Sequence, residues 1–388
     1  MKILVLGAYH SSNLGDPVIC DCVADSLRRR FPEAEVCCHD LIHRALPALG
    51  QVSPMSAGRK THLRRKLRFW VTEHIPFDAS LRWETYRLKK HSEYLDNLCA
   101  QGWDLAVVAG GQLLMDSYAL FLAYAIEQLT ARDVPVICNA LGVGPSCSDA
   151  VCARLGAALA HPRVTHISCR DDVALTQKRY APGEDIHGTT DPALYAGRTY
   201  GVARDTESKT VGLGILFPGF TPEKQTLAFW QGVIRGLEAK QTPWQMFTNG
   251  DPLDLSYARE ILASMPELQG REAELIRLRD IKPGDLVRTV AGYGGVIAAR
   301  LHSNILAAAL DIPAVAVVWD DKLPAFYEKI GRPGRCVTVD TDADTVLRIL
   351  GEAQQNGYDA ALVESLRQDA ETMLLEAAER ALYGEVQL

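Results

Sequence analysis

The chain is 388 residues long, 47% hydrophobic and 23% charged, which excludes disordered, collagen-like and disulfide-stapled classes. Its 48 acidic residues outnumber 41 basic ones for a formal charge of −7, so no nucleic-acid partner is expected. At roughly 150 residues per domain the length asks for two or three domains, and no apolar run reaches the ~18 residues of a membrane span.

The opening MKILVLGAYH has one Lys and too short an apolar stretch for a signal peptide. It reads as a buried strand, Lys2–Leu6, in a protein expected in the cytoplasm. A helix is predicted over Asp16–Arg30 and a strand over Glu35–His39. Arg59–Arg68, RKTHLRRKLR, runs into Phe69-Trp70-Val71. It reads as a solvated helix face; the alternative is a basic, aromatic-flanked surface (Arg59 to Trp70) meeting an anionic inner membrane or a pyrophosphate-linked lipid. Leu105–Ala109, Val134–Asn139 and Thr165–Cys169 are predicted strands, each followed by a helical pattern. Ala196–Lys209 is polar, holds Gly197 and Gly201, and reads as a hinge. The pattern then restarts with strand Thr210–Leu216, helix Glu223–Ala239 and strand Trp244–Thr248. Strand Gly295–Ala299, helix Ser303–Leu310, strand Ala314–Val318 and a long charged helix over Ala360–Leu382 follow. This βα alternation predicts an α/β fold of two Rossmann-like domains facing a cleft. The expected cut gives domains 1–200 and 201–388, the second carrying the C-terminal helix. None of the ten cysteines forms a C-x-x-C pair, so reduced thiols and no metal are expected.

Ligands of open parallel sheets bind beyond the carboxyl ends of the strands. After the first strand, Gly7 to Asp16 lacks the G-x-G-x-x-G dinucleotide pattern; Asn13 and Asp16 read equally as turn and cap residues. Gly110 and Gly111 allow close backbone approach, to a ligand or to a packing neighbour, and Leu141 to Pro145 reads the same way. Arg170, at a strand tip, suits a bidentate grip on carboxylate or phosphate; the competing reading is an ion pair with Asp191. The strongest local signal is Gly294 to Asn304, a buried strand running into an apolar helix. There Arg300, the helix dipole and the first amides converge on one anion, and His302 can serve as acid or base near neutral pH. Lys322, after the next strand, adds a cation.

Together these segments resemble the polysaccharide pyruvyl transferase family. The matching pieces are Asn13-Leu14-Gly15-Asp16-Pro17-Val18-Ile19, Gly110-Gly111, Gly142-Val143-Gly144-Pro145, Arg170-Asp171, Thr190-Asp191-Pro192, Arg300-Leu301-His302 and Lys322, in the family's order. Ala299 stands where a Ser often precedes the Arg-Leu-His element. The resemblance implies a glycosyltransferase-B-like fold and transfer of an enolpyruvate-derived group from phosphoenolpyruvate to a sugar, as a pyruvate ketal, with release of phosphate. It implies that Arg170, Arg300 and His302 bind or activate the donor, with Lys322 as a further cation. His302 would be the general acid and Asp16 or Asp191 the base. Asn13, Gly15, Gly110, Gly111 and Leu301 complete the expected substrate contacts. No cofactor is expected beyond the donor itself. The acceptor would be a sugar of a cell-surface polysaccharide or its lipid-linked precursor, on the N-terminal domain, with the donor on the C-terminal one; a homo-oligomer is left open. A nucleotide-sugar glycosyltransferase and a non-catalytic anion-binding scaffold are the alternatives.

Overall fold

Strand β1 (Lys2–Gly7) is buried from Ile3 onward, as a strand with parallel neighbours on both edges and helices on both faces must be. It opens a computed structural model that describes residues 1–44, 77–144, 147–219, 221–277 and 282–384. The basic stretch Arg59–Arg68, Trp70 and Pro145 lie outside the described residues.

The chain divides into two compact units. The first comprises Met1–Ser11, Ile19–Pro192 and Leu366–Leu388; the second comprises Ser12–Val18 and Ala193–Ser365. After β1 come α1 (Gly15–Arg30), β2 (Glu35–Asp40), α2 (Phe77–Cys99), β3 (Leu105–Val108), β4 (Gly111–Leu114) and α3 (Asp116–Thr130). β5 (Val136–Val143), α4 (Asp149–Leu159), β6 (Val164–Cys169), α5 (Val173–Arg179) and β7 (His187–Gly188) complete the first unit's sheet region. Its strands are all parallel in the order β2-β1-β3-β5-β6-β7, with β4 also paired to β5.

The second unit repeats the plan with β8 (Val211–Gly214), α6 (Glu223–Ala239), β9 (Trp244–Phe247), α7 (Pro252–Ala263) and α8 (Pro283–Ala291). β10 (Gly295–Ala298), α9 (Leu301–Ala309), β11 (Ala314–Val317), α10 (Lys322–Lys329), β12 (Cys336–Val337), α11 (Ala343–Asn356) and α12 (Ala360–Tyr383) follow. The parallel order is β12-β11-β10-β8-β9. Each sheet carries its own buried apolar core, so the α/β, two-Rossmann reading holds.

Two features depart from the expected layout. The chain passes into the second unit after Pro192 rather than at residue 200, and it does not stay there. The carboxyl part of α12 returns to the first unit, where Glu371 accepts a 2.6 Å hydrogen bond from Ser26 and Glu379 pairs with Arg30. The expected helix directly after Gly110-Gly111 is also delayed: the strand breaks and resumes as β4. Both glycines have positive φ (102° and 91°), and a Cβ on Gly110 would lie 2.7 Å from the Ala140 carbonyl oxygen on β5. Strand packing therefore requires glycine at 110, and the left-handed backbone favours it at 111. Among the described residues no helix is long and apolar enough to cross a membrane.

Candidate functional site

In the second sheet β8 leads to β9 on one side, while β10, β11 and β12 extend on the other. The order reverses between β8 and β10, and the carboxyl edge of such a switch point is where open α/β sheets bind ligands. Ala299 N–H donates to the Gly214 carbonyl at 3.1 Å, carrying β10 alongside β8 as far as the turn. The next residue, Arg300, is extended (φ −83°, ψ 131°) and occupies the N-cap of α9 without making a side-chain cap. An Arg has no acceptor to offer the first-turn amides, so this helix start keeps its affinity for an anion. Other side chains fix the turn. Asn304 Nδ2 donates to the carbonyls of Ala298 (3.0 Å) and Arg300 (2.9 Å), and its Oδ1 accepts from Tyr327 (2.8 Å). Trp319 Nε1 donates to the Ala299 carbonyl at 2.7 Å.

His302, in the first turn of α9, is 5% exposed. Gly15 lies directly on its ring: a Cβ there would sit 2.1 Å from Cγ and 2.2 Å from Nδ1. Leu14 N–H donates to the Asn249 carbonyl at 2.7 Å, and Gly250 (φ +97°) passes so close that its Cβ would be 2.6 Å from the Ser12 carbonyl oxygen. The Asn13-Leu14-Gly15-Asp16 segment is thus docked on the carboxyl edge of the second sheet, within the unit that holds Arg300 and His302. Asp16, half-buried, is the second residue of α1, its amide donating to the Asn13 carbonyl at 3.1 Å. Ser303 Oγ donates to Asn249 Oδ1 at 2.6 Å, whereas Asn249 Nδ2, also buried, has no hydrogen-bond partner among the described residues. Lys322 opens α10 with its ammonium 3.9 Å from Asp320. Leu301 is the first residue of α9 and lies between the two polar candidates.

Asp254, third residue of α7, is fully buried and was not singled out by the sequence. Its Oδ2 accepts from Arg300 Nε (2.8 Å) and Nη2 (2.6 Å), leaving Nη1 outside the pair, and its Oδ1 accepts from Phe217 N–H at 3.0 Å. Burial pushes this carboxyl from its ordinary 3.8 up to about 6, against the opposing pull of Arg300. Because the folded value lies above the unfolded one, the native state binds the extra proton between pH 3.8 and about 6, so stability falls as pH rises through that window. Asp254→Asn is expected to flatten the slope, an effect of at most about 3 kcal/mol. Urea unfolding at several pH values across the window measures it; an unchanged slope would remove Asp254 as its source.

The first unit holds the remaining candidates. Arg170, buried, pairs through Nη1 with Asp191, also buried, and its Nε lies 3.5 Å from Asp171. Gly142 makes room for it, since a Cβ there would lie 2.9 Å from Arg170 Nε, and Asp171 Oδ2 accepts from Val143 N–H at 2.9 Å. The Gly-Val-Gly, Arg-Asp and Thr-Asp-Pro segments therefore interlock beside a bulge in β5, where Ala140 takes φ +48°. The ion-pair reading of Arg170 is the one this geometry supports. Asp191 engages Arg170 through Oδ2, and Gly110 packs against β5.

A concavity of about 650 Å³ in the second unit opens at the opposite edge of the sheet. Its Arg271 is held by Glu238 and Glu274 and its Arg288 by Asp285, and it lies away from the switch point at the carboxyl edge. Among the described residues no group of three or more His, Cys, Asp or Glu is placed to hold a metal ion.

The sequence model of the family described as polysaccharide pyruvyl transferase matches residues 13–321. A search of curated proteins found no match. Among solved structures, a candidate UDP-N-acetylglucosamine 2-epimerase from Listeria monocytogenes aligns with TM-score 0.62 at 11% identity, covering 100% of this chain and 98% of that one. MnaA of S. aureus with UDP aligns with TM-score 0.58 at 10% identity, covering 99% and 97%. The Neisseria meningitidis UDP-GlcNAc 2-epimerase bound to UDP-GlcNAc aligns with TM-score 0.55 at 10% identity, covering 98% and 100%. At these identities the likeness is one of fold, the two-domain glycosyltransferase-B type.

Proposed function

The chain belongs to the polysaccharide pyruvyl transferase family, and from that premise we propose that its second unit binds phosphoenolpyruvate at the start of α9 and delivers its enolpyruvate-derived group to a sugar as a pyruvate ketal. The carrying observation is the seating of Gly15 on the His302 ring, which brings the Asn-Leu-Gly-Asp and Arg-Leu-His segments into one site. Phosphoenolpyruvate presents a carboxylate and a phosphate. The Arg300 guanidinium, anchored at one edge by Asp254, and the first-turn amides of α9 suit one of these groups. Lys322 and the buried Asn249 donor suit the other.

In the reaction His302 as imidazolium protonates the methylene carbon, leaving an oxocarbenium-like centre at the neighbouring carbon. A sugar hydroxyl adds there, its proton passing to Asp16. The bond to the phosphate oxygen then breaks, phosphate leaves with a proton, and a second hydroxyl adds and gives up its own proton to close the ketal. Protons lost by the two hydroxyls balance those gained by carbon and phosphate, so no co-reactant is required. The acceptor is a sugar of a cell-surface polysaccharide or of its lipid-linked precursor.

Calorimetric titration with phosphoenolpyruvate, beside a UDP-sugar, tests the donor. Arg300→Ala alone strands the buried Asp254 carboxylate, a defect of a few kcal/mol, so Arg300→Ala is combined with Asp254→Asn. The double variant is expected to bind phosphoenolpyruvate about 10- to 100-fold more weakly, the range for a lost charge-assisted hydrogen bond. Equal affinity would remove Arg300 from the donor site, and binding of the UDP-sugar alone would move the protein to nucleotide-sugar chemistry.

A further inference from the structure

We propose that the outward face of α2, centred on Trp83 and Tyr86, docks the protein on an anionic lipid bilayer. Trp83 is 54% exposed and Tyr86 58%, and their rings stack with centroids 5.8 Å apart. Large apolar side chains grouped on a surface mark a contact site. Trp and Tyr suit a membrane–water boundary, each with an apolar ring and a polar tip.

The surroundings of the pair are cationic. Arg82, Lys89 and Lys90 are exposed on the same helix. Between Arg82 and Ser92 the one acidic residue, Glu84, is buried and pairs with Arg87 at 2.6 Å; exposed Glu93 follows one turn beyond Lys90. The helix cannot roll to hide its aromatics, because Leu88, Leu95, Leu98 and Cys99 sit in the first unit's core and the Arg87 guanidinium lies 5.4 Å over the Phe121 ring. The sequence extends the pattern: residues 59–92 carry ten Lys or Arg against three Asp or Glu, +7 in a chain whose total is −7. A basic block segregated in an acidic protein favours contact with a polyanionic surface. Each basic residue near an anionic leaflet strengthens attachment about fivefold.

A second copy meeting this face would set like charges opposite one another. A single-stranded nucleic acid would stack its bases on open ring faces, whereas these two rings are stacked on each other. The bilayer is the occupant that uses both the aromatics and the flanking cations. This inference rests on α2 and the charge distribution, independently of the proposed chemistry.

Co-sedimentation of the full chain with phosphatidylcholine vesicles, with and without phosphatidylglycerol, tests it. Binding is expected on the anionic vesicles at low ionic strength, with release as salt rises. Trp83→Ser/Tyr86→Ser and Lys89→Glu/Lys90→Glu are each expected to weaken it about tenfold or more. All four positions are exposed, so melting curves should match wild type; Lys240→Glu, exposed on the second unit, serves as the remote control. No sedimentation with anionic vesicles at low salt, or wild-type sedimentation of the lysine variant, overturns the proposal. A lipid-independent dimer broken by the aromatic variant would reassign the face to a second copy, and preference for a soluble oligonucleotide would reassign it to nucleic acid.

Discussion

Replacing His302 by Gln is expected to lower turnover by about 10²–10⁴-fold, the usual contribution of a positioned general acid, while leaving donor affinity within a few-fold of wild type. The separation follows from the division of labour at the start of α9. In the proposed mechanism charge recognition falls to Arg300, the first-turn amides and Lys322, none of which the substitution touches. In that same mechanism the carbon-protonation step falls to the imidazole alone. A buried histidine can also be purely architectural, and the experiment must separate the two roles. Gln fills similar space beneath Gly15, and α9 keeps its anchors at Asn304, Tyr327 and Trp319, so the melting temperature should move little. The readout is kcat against phosphoenolpyruvate affinity measured by calorimetry on the same preparation. A large fall in kcat with donor binding intact is the expected result. Unchanged kcat would leave the ring a packing role, and an anion-binding scaffold would then be the better account.

Much of this site is legible from local signals. A run of small apolar residues from Gly295 to Ala299 dictates a buried strand, and the polar Arg300 and His302 interrupt it where the helix begins. The helix at Glu223–Ala239 is visible for the same reason, since its apolar stripe and acidic first turn are both local. What the sequence conceals is pairing over distance. Asp254 reads as an ordinary first-turn acid after an Asp-Pro start; its role comes from Arg300, 46 residues away. Arg170 reads as a cation at a strand tip, and only the fold, bringing Asp191 and the side-chain-free Gly142 to it, shows its charge already satisfied. Gly15 is the clearest case. In sequence it is one glycine in a turn-rich loop, and its φ does not demand glycine. The requirement comes from an imidazole that arrives almost three hundred residues later in the chain.

Gly15→Ala is therefore expected to be nearly as damaging as loss of His302 itself. The added methyl would lie 2.1–2.4 Å from Cγ, Nδ1 and Cβ of the histidine, well inside contact distance. Neither side yields easily. The loop is held by Leu14 on the Asn249 carbonyl and by Gly250 beneath Ser12, while α9 is held through Asn304 and Trp319. Overpacking of this kind costs about 1–3 kcal/mol of stability, and a reacting group displaced by about 1 Å costs on the order of 10²-fold in rate. Gly351→Ala in α11, where no atom lies within 4 Å of the new Cβ, is the matched control and should keep full activity. The decisive comparison is a double-mutant cycle. If the damage comes from the methyl striking the ring, then in a His302→Ala background, where the ring is gone, Gly15→Ala should cost little further rate or stability. Additive losses would mean that Gly15 acts on something other than His302, and the two segments would no longer form one site. Near-complete non-additivity would instead establish that the amino-terminal loop positions the imidazole, and that the Asn-Leu-Gly-Asp and Arg-Leu-His segments act as one site.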